Sequence, residues 1–155
     1  MEPPQKQSPF RISTIFKPDH PHWDGVPRIN IYFLRLLFLL MLIFLGRDSW
    51  TYILTFKGSW NPTDAMVWCV WASYSVLAIL GILHPLKMIP IILLEIFYKV
   101  LWLIIVAYPL WRSNQLIGSS AEGMTNAFLW VALPIIALPW RYAFRKYVLV
   151  SKGDK

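Results

Sequence analysis

The chain has 155 residues, 57% of them hydrophobic, and a formal net charge of +7, and this apolar fraction excludes an ordinary soluble domain. The positive charge does not indicate a nucleic-acid partner, because the basic residues lie just outside the apolar runs, where they would face anionic lipid headgroups. The single cysteine, Cys69, excludes an internal disulfide and any cysteine-rich metal or dithiol site.

Residues 1–28 precede the first apolar run and are rich in proline. Six prolines fall in this short stretch: Pro3, Pro4, Pro9, Pro18, Pro21 and Pro27. Such a composition resists a packed core, so we predict a proline-rich, extended cytoplasmic arm. No short apolar stretch followed by a small-residue cleavage site is visible here, and we predict no removable signal peptide.

Four apolar runs follow the arm, and a helix needs about 20 such residues to cross the bilayer. The predicted spans cover about 29–46, 65–83, 88–111 and 125–140, within a transmembrane domain of residues 29–148 that is followed by a basic cytoplasmic tail, 149–155. Residues 50–56 are too short to span. We expect an interfacial helix there rather than a continuation of the first helix, because Arg47 and Asp48 interrupt the run.

Two helix starts can be predicted from local sequence. Asn61 precedes Pro62, and Asp64 falls in the following turn, which is the pattern of a capping side chain, a proline at the first helical position and an acid near the helix N-terminus. Ser119 and Glu122 have capping-box spacing just before the fourth run. Pro134 and Pro139 favour a bend in this last and shortest span.

The distribution of basic residues predicts the orientation. Ten of the fifteen Lys and Arg residues fall on the side of the two termini, and three fall on the other side, namely Arg47, Lys57 and Arg112. The positive-inside rule then places both termini in the cytoplasm, which agrees with an even number of spans. The predicted fold is therefore an all-α membrane protein, a four-helix antiparallel transmembrane bundle of the cell inner (plasma) membrane, with both ends inside.

Ionisable residues within the spans mark the candidate site. Glu95 and Lys99 lie one helical turn apart in the third span, where charged side chains are costly and face the bundle interior or a cavity. At about 1.5 Å per residue, Arg35, Tyr74 and Ser75 reach a comparable depth on the first two helices. We predict that all five side chains converge in one layer. Six residues of the third span share the inward face: Met88, Ile92, Glu95, Lys99, Trp102 and Val106.

Two interpretations of this polar set remain open. In one, Glu95 pairs with Lys99 or Arg35 and only fixes helix packing. In the other, two cations and one carboxylate leave a residual positive charge in a low-dielectric cavity. Such a site suits an anionic headgroup, a carboxylate or a quinone-like carbonyl as ligand, or a proton-linked step.

No catalytic set is visible in the sequence. A glycine-rich phosphate loop, a Ser/His/Asp set and a Cys/His pair are all missing, and no His lies inside a span, so we expect no cofactor, no metal and no enzymatic activity. We expect a small polytopic membrane protein that serves as a transporter or as a lipid- or small-anion-binding module. The alternatives are an accessory subunit of a larger membrane complex and a membrane enzyme acting on a lipid or quinone. The expected partners are membrane lipids, with anionic headgroups at the cytoplasmic face, and a second copy of the chain or another subunit.

Overall fold

The structure is a computed structural model that describes residues 16–149. Its elements are β1 (Pro18–Asp19), α1 (His20–Trp23), β2 (Val26–Pro27), α2 (Arg28–Thr55), α3 (Pro62–Leu83), α4 (Ile89–Arg112), α5 (Glu122–Ala137) and α6 (Trp140–Val148). Three helices, α2, α3 and α4, are long and apolar enough to cross a membrane, and a fourth crossing requires α5 and α6 together. Residues 1–15 of the predicted arm and 150–155 of the predicted tail lie outside the described residues.

Residues 18–27 fold into a compact N-terminal hairpin, in which β1 and β2 pair antiparallel. The chain reverses through two residues with left-handed backbone, Asp24 (φ 51°) and Gly25 (φ 81°). The positive φ of Gly25 favours glycine, because other residues rarely adopt this backbone angle without strain. Val26 is buried in the main core. The expectation of an extended arm therefore does not hold for residues 18–27.

The carboxylate of Asp19 organises this hairpin. Its two oxygens accept hydrogen bonds from Arg28 Nε at 2.6 Å and from His22 Nδ1 at 3.0 Å, and the His22 backbone N–H adds a third at 3.3 Å. The Arg28 guanidinium, with His22, lowers the pKa of Asp19 below its ordinary value of 3.8. The hairpin is thus built around one ionised side chain.

The first long helix, α2, runs without interruption from Arg28 to Thr55. The preference for a separate interfacial helix at 50–56 is therefore wrong, and the alternative, a continued first helix, describes the structure. Arg47 and Asp48 are both exposed on the surface of α2, so the helix continues through them without burying either charge. Twenty-eight residues span about 42 Å, which exceeds the thickness of the hydrocarbon core of a bilayer.

Helix α3 packs most closely along α2. Four small or short buried residues recur at every third position of α3, namely Ala72, Ser75, Ala78 and Gly81. The Phe38 ring of α2 packs directly on Gly81, and Gly46 of α2 lies opposite Ser75. Small residues let two helices approach closely, which is how helices associate in lipid.

The start of α3 follows the prediction, whereas that of α5 does not. Asn61 caps α3 by accepting from the N–H groups of Thr63 and Asp64. At α5, the Glu122 carboxylate accepts from the N–H of Gly118 at 2.7 Å, one residue before Ser119, and Ser119 Oγ accepts from Ala121 N–H. The N-cap residue of α5 is Ala121, which has no side-chain cap, so these bonds form a turn before the helix and not the predicted capping box.

Prolines explain the irregular course of α5 and α6. Pro134 has no N–H to form a hydrogen bond with the carbonyl of Trp130, four residues earlier. The regular helix is interrupted at Trp130. Leu138, which precedes Pro139, adopts extended backbone angles and ends α5. Helix α6 then leaves at 77° to α5. The bend expected from the two prolines is confirmed.

Helix α6 contacts both the hairpin and the α3–α4 turn. The Tyr147 hydroxyl donates to the Leu86 carbonyl at 2.9 Å, and the Arg145 guanidinium donates to the Asp24 carbonyl at 3.2 Å. Tyr142 and Ala143 enter the core cluster. Residues distant in sequence are thereby brought together at this end of the molecule.

Candidate functional site

Glu95 and Lys99 form an ion pair on the inward face of α4. The Lys99 Nζ donates to Glu95 Oε1 at 2.5 Å, and the Glu95 side chain is 11% exposed and that of Lys99 16% exposed. All six residues expected on this face are buried or half-buried, whereas Leu94, Phe97 and Leu101 on the opposite face are exposed. The Glu95 and Lys99 side chains therefore lie on the buried face of α4 and not on its exposed face.

Aromatic rings enclose this ion pair. The Lys99 ammonium lies 5.8 Å from the centroid of the Phe128 ring of α5, within cation–π range. The Tyr98 ring contacts Phe128 edge-to-face at 5.7 Å and approaches Tyr74 of α3 at 6.1 Å. Tyr98 and Phe128 were not predicted as site residues. The spacing from Glu95 could have indicated Tyr98, but nothing in the sequence sets the rotation of α5 that brings in Phe128.

Ser75 belongs to a different contact. Its Oγ donates to the Ala72 carbonyl at 2.7 Å and accepts from the Trp50 indole N–H at 3.1 Å, so it joins α3 to α2. Tyr74 precedes it in sequence but is rotated by about 100° around the helix, toward α4. No hydrogen bond in the described chain connects Ser75 to Glu95 or Lys99.

Arg35 also lies apart from the ion pair. Its guanidinium carbon is 5.5 Å from the centroid of the Trp23 ring in the hairpin. Its Nε atom is buried and has no hydrogen-bond partner, and no carboxylate of residues 16–149 forms an ion pair with it. The expected convergence of five side chains in one layer is therefore limited to Glu95, Lys99 and Tyr74. Depth alone did not determine which way Arg35 and Ser75 face.

A crevice of about 770 Å³ lies between the N-terminal hairpin and α6. Its walls come from four places: the hairpin, the first turn of α2, the Pro139 bend and α6 with the residue that follows it. Two arginines of α6 line it, Arg141 and Arg145, and the polar side chains of His20, Asp24, Asn30 and Tyr142 join them. Trp140, Phe144 and Leu149 add apolar surface. Sequence patterning indicated the basic residues of α6 but not this enclosure.

The charges of the crevice are unbalanced. Neither Arg141 nor Arg145 forms an ion pair within the part of the chain that the structure describes. The one carboxylate that lines the crevice, that of Asp24, accepts a hydrogen bond from the Tyr142 hydroxyl at 3.5 Å. The backbone carbonyl of Asp24 accepts a hydrogen bond from the Arg145 guanidinium. Two guanidinium groups beside one carboxylate leave net positive charge, which favours an anion.

Comparisons of this chain with protein-family models, with curated proteins and with solved structures found no match. Among residues 16–149, no three His, Cys, Asp or Glu side chains come together in a way that could hold a metal ion. The described residues provide guanidinium groups at the crevice and at Arg35. They also provide one ion pair on α4, whose two charges balance each other.

The lowered pKa of Asp19 predicts how the hairpin responds to acid. Because the pKa is lower in the folded hairpin, the ionised carboxylate contributes stability above pH 3.8, and this contribution is lost as the pH falls below that value. Amide hydrogen exchange of Gly25, whose N–H bonds the Asp19 carbonyl, should report the loss. In the Asp19→Asn variant Gly25 should exchange faster at neutral pH and show no additional opening in acid. Equal protection in both proteins would contradict the role of Asp19.

Proposed function

We propose that the chain is a four-helix antiparallel protein of the cell inner membrane, with the bent pair of α5 and α6 as the fourth crossing and both termini in the cytoplasm. The excess of Lys and Arg on the terminal side supports this orientation. Helix α5 has sixteen residues and is about 24 Å long, which is too short for the hydrocarbon core, so the extended residue Leu138 and the start of α6 complete the crossing. In this arrangement the hairpin, α6 and the crevice are on the cytoplasmic face.

In this membrane the protein acts as a binding module for phosphate-bearing anions, chiefly anionic lipid headgroups, and not as an enzyme. The observation that carries the proposal is the crevice, in which Arg141 and Arg145 have no carboxylate partner among the described residues and stand beside Trp140. Guanidinium groups bind phosphate oxygens in a planar, bidentate geometry. Trp140 places an amphipathic ring where an acyl chain would meet a headgroup.

The Glu95–Lys99 pair is less suited to this role. Each charge already has its counter-charge within hydrogen-bonding distance, so the pair has no net charge to offer an incoming anion. Its aromatic surroundings fit a packing role between α3, α4 and α5. We therefore propose that the ligand binds at the arginines of the crevice and not at this ion pair.

Lipid retention tests the proposal. The purified protein in dodecyl maltoside micelles that contain phosphatidylglycerol or phosphatidylcholine should, by native mass spectrometry, retain phosphatidylglycerol preferentially. The double variant Arg141→Gln, Arg145→Gln should lose this preference by about tenfold or more, given roughly 1 kcal/mol for each basic residue near a lipid surface. Inorganic phosphate added to the micelles should compete with phosphatidylglycerol if the phosphate group itself is recognised.

The matched control removes two other cations from the same face. Lys146 lies on α6 and Lys87 lies in the α3–α4 turn, and neither lines the crevice. The variant Lys146→Gln, Lys87→Gln has the same net charge as the crevice variant but should retain phosphatidylglycerol nearly as the wild type does. An equal loss in both variants would mean that general surface charge, and not a site, holds the lipid.

A further inference from the structure

Arg35 is a half-buried cation whose charge nothing in the described chain balances. It lies in the second turn of α2, about 10 Å beyond the start of the helix, and is half-buried. Its Nε–H, which would ordinarily donate, has no acceptor. The three ion pairs of the described residues join Asp19 to His22, Asp19 to Arg28, and Glu95 to Lys99, and none includes Arg35.

Such an arrangement is costly without a ligand. A guanidinium group cannot lose its proton in a protein, so unlike a buried Lys it cannot escape the cost by becoming neutral. An orphaned N–H adds the penalty of an unmade hydrogen bond. The Trp23 ring offsets part of this through its π-face but supplies no acceptor for an N–H. An oxyanion would supply both the missing charge and the missing acceptor.

Trp23 is placed as a cover over this cation. It ends α1 in the hairpin, and its neighbours in the hairpin, His20 and Asp24, line the crevice. The hairpin is held to the rest of the molecule in part by polar contacts, those of Asp24 with Tyr142 and Arg145 and that of Asp19 with Arg28. The Trp23 side chain is itself only half-buried, and its rotation away from Arg35 would uncover the guanidinium group.

We propose that Arg35 is a second anion site, deeper than the crevice, which binds a phosphate group through its Nε–H edge when Trp23 moves aside. The site shares the hairpin with the crevice but uses a different cation, so it stands or falls independently of Arg141 and Arg145. The phosphate group can come from solution or from a lipid headgroup, and the chemistry of recognition is the same for both.

The test observes the Arg35 Nε–H directly by NMR of protein labelled with ¹⁵N-arginine, the signal being assigned by its loss in Arg35→Lys. One arm titrates inorganic phosphate into dodecyl maltoside micelles, and the other adds phosphatidic acid to the same micelles without phosphate. The Arg35 signal should move downfield and saturate in at least one arm, which identifies the source. The Arg47 signal, from the exposed far end of α2, should move little and serves as the internal control.

The cover is tested by Trp23→Ala. Loss of the indole should lower the phosphate or lipid concentration at half-saturation by about fivefold, because the ligand no longer competes with the cation–π contact. Trp68→Ala, in an aromatic stack on α3, is the matched control and should leave that concentration unchanged. An Arg35 signal that is unmoved in both arms, while those of Arg141 and Arg145 saturate, would overturn the proposal and leave the crevice site standing. A wild-type half-saturation concentration in Trp23→Ala would overturn the role of Trp23 as a cover.

Discussion

Replacing Glu95 by Gln should destabilise the protein by about 3–5 kcal/mol, the usual cost of breaking a buried ion pair by removing one partner. The Lys99 ammonium would then lie beside the Phe128 ring with its counter-charge gone. Lys99→Met should cost a similar amount by leaving the Glu95 carboxylate alone in the interior. Reversible unfolding of the purified protein in mixed micelles would measure both free energies.

The double variant Glu95→Gln, Lys99→Met distinguishes a packing role from a functional one. With both charges removed, no uncompensated ion remains, so most of the lost free energy should return, and the coupling energy of the double-mutant cycle should be large. If the pair only fixes packing, the double variant should also keep the lipid retention of the wild type. Asp64→Asn, at an exposed position in the first turn of α3, controls for the loss of an acid and should cost less than about 1 kcal/mol. A double variant as unstable as the singles would show that the two charges do not compensate each other.

Local features of the sequence predicted the inward face of α4, the cap of α3 and the bend after α5. The 3-and-4 spacing of apolar residues around Glu95 and Lys99 fixes one side of the helix, and no knowledge of the other helices is needed. The cap at Asn61 and the bend at Pro139 are also local, since each depends on a backbone group within four residues. These predictions succeeded because the causes lie within one or two turns of the chain.

The predictions that failed depend on how helices rotate against one another. Tyr74 and Ser75 have the same depth, yet one faces α4 and the other bonds Trp50 of α2. Depth can be counted from the sequence, but the azimuth of each helix is set by packing, here by the small-residue face of α3 against α2. The direction in which Arg35 faces could not be predicted for the same reason, and it contacts Trp23 and not the Glu95–Lys99 ion pair.

The crevice was beyond sequence reasoning for a related cause. The hairpin and α6 meet through contacts of Asp24 with Tyr142 and Arg145, which follow it in the chain by 118 and 121 positions. The composition of the hairpin favours an open arm, whereas the bonds of Asp19 and the contacts with α6 order it in the structure. Because the site combines two separate segments, neither segment alone carries a sequence motif that would indicate it.

Gly81→Ala should be among the most damaging single changes in the helices, although it adds one methyl group. The new Cβ would lie 2.3 Å from the Phe38 ring, and that ring is fully buried, so it has little room to retreat. We expect a loss of about 3 kcal/mol in the free energy of unfolding, at the upper end for overpacking and net of the better helix propensity of alanine. Unfolding in mixed micelles measures it, as for the ion pair.

Two other glycines give a graded control for this contact. Gly46→Ala would place its Cβ 3.3 Å from Ser75 Cβ and should cost less, whereas Gly123→Ala meets no atom within 4 Å and should be neutral or slightly stabilising. Phe38→Leu should rescue Gly81→Ala in part, because the smaller side chain vacates the space that the methyl group needs, and the coupling would identify Phe38 as the obstacle. If the three alanine variants were equally stable, the closest approach of α2 and α3 would not lie at Gly81. The small-residue face would then not be what sets the rotation of α3.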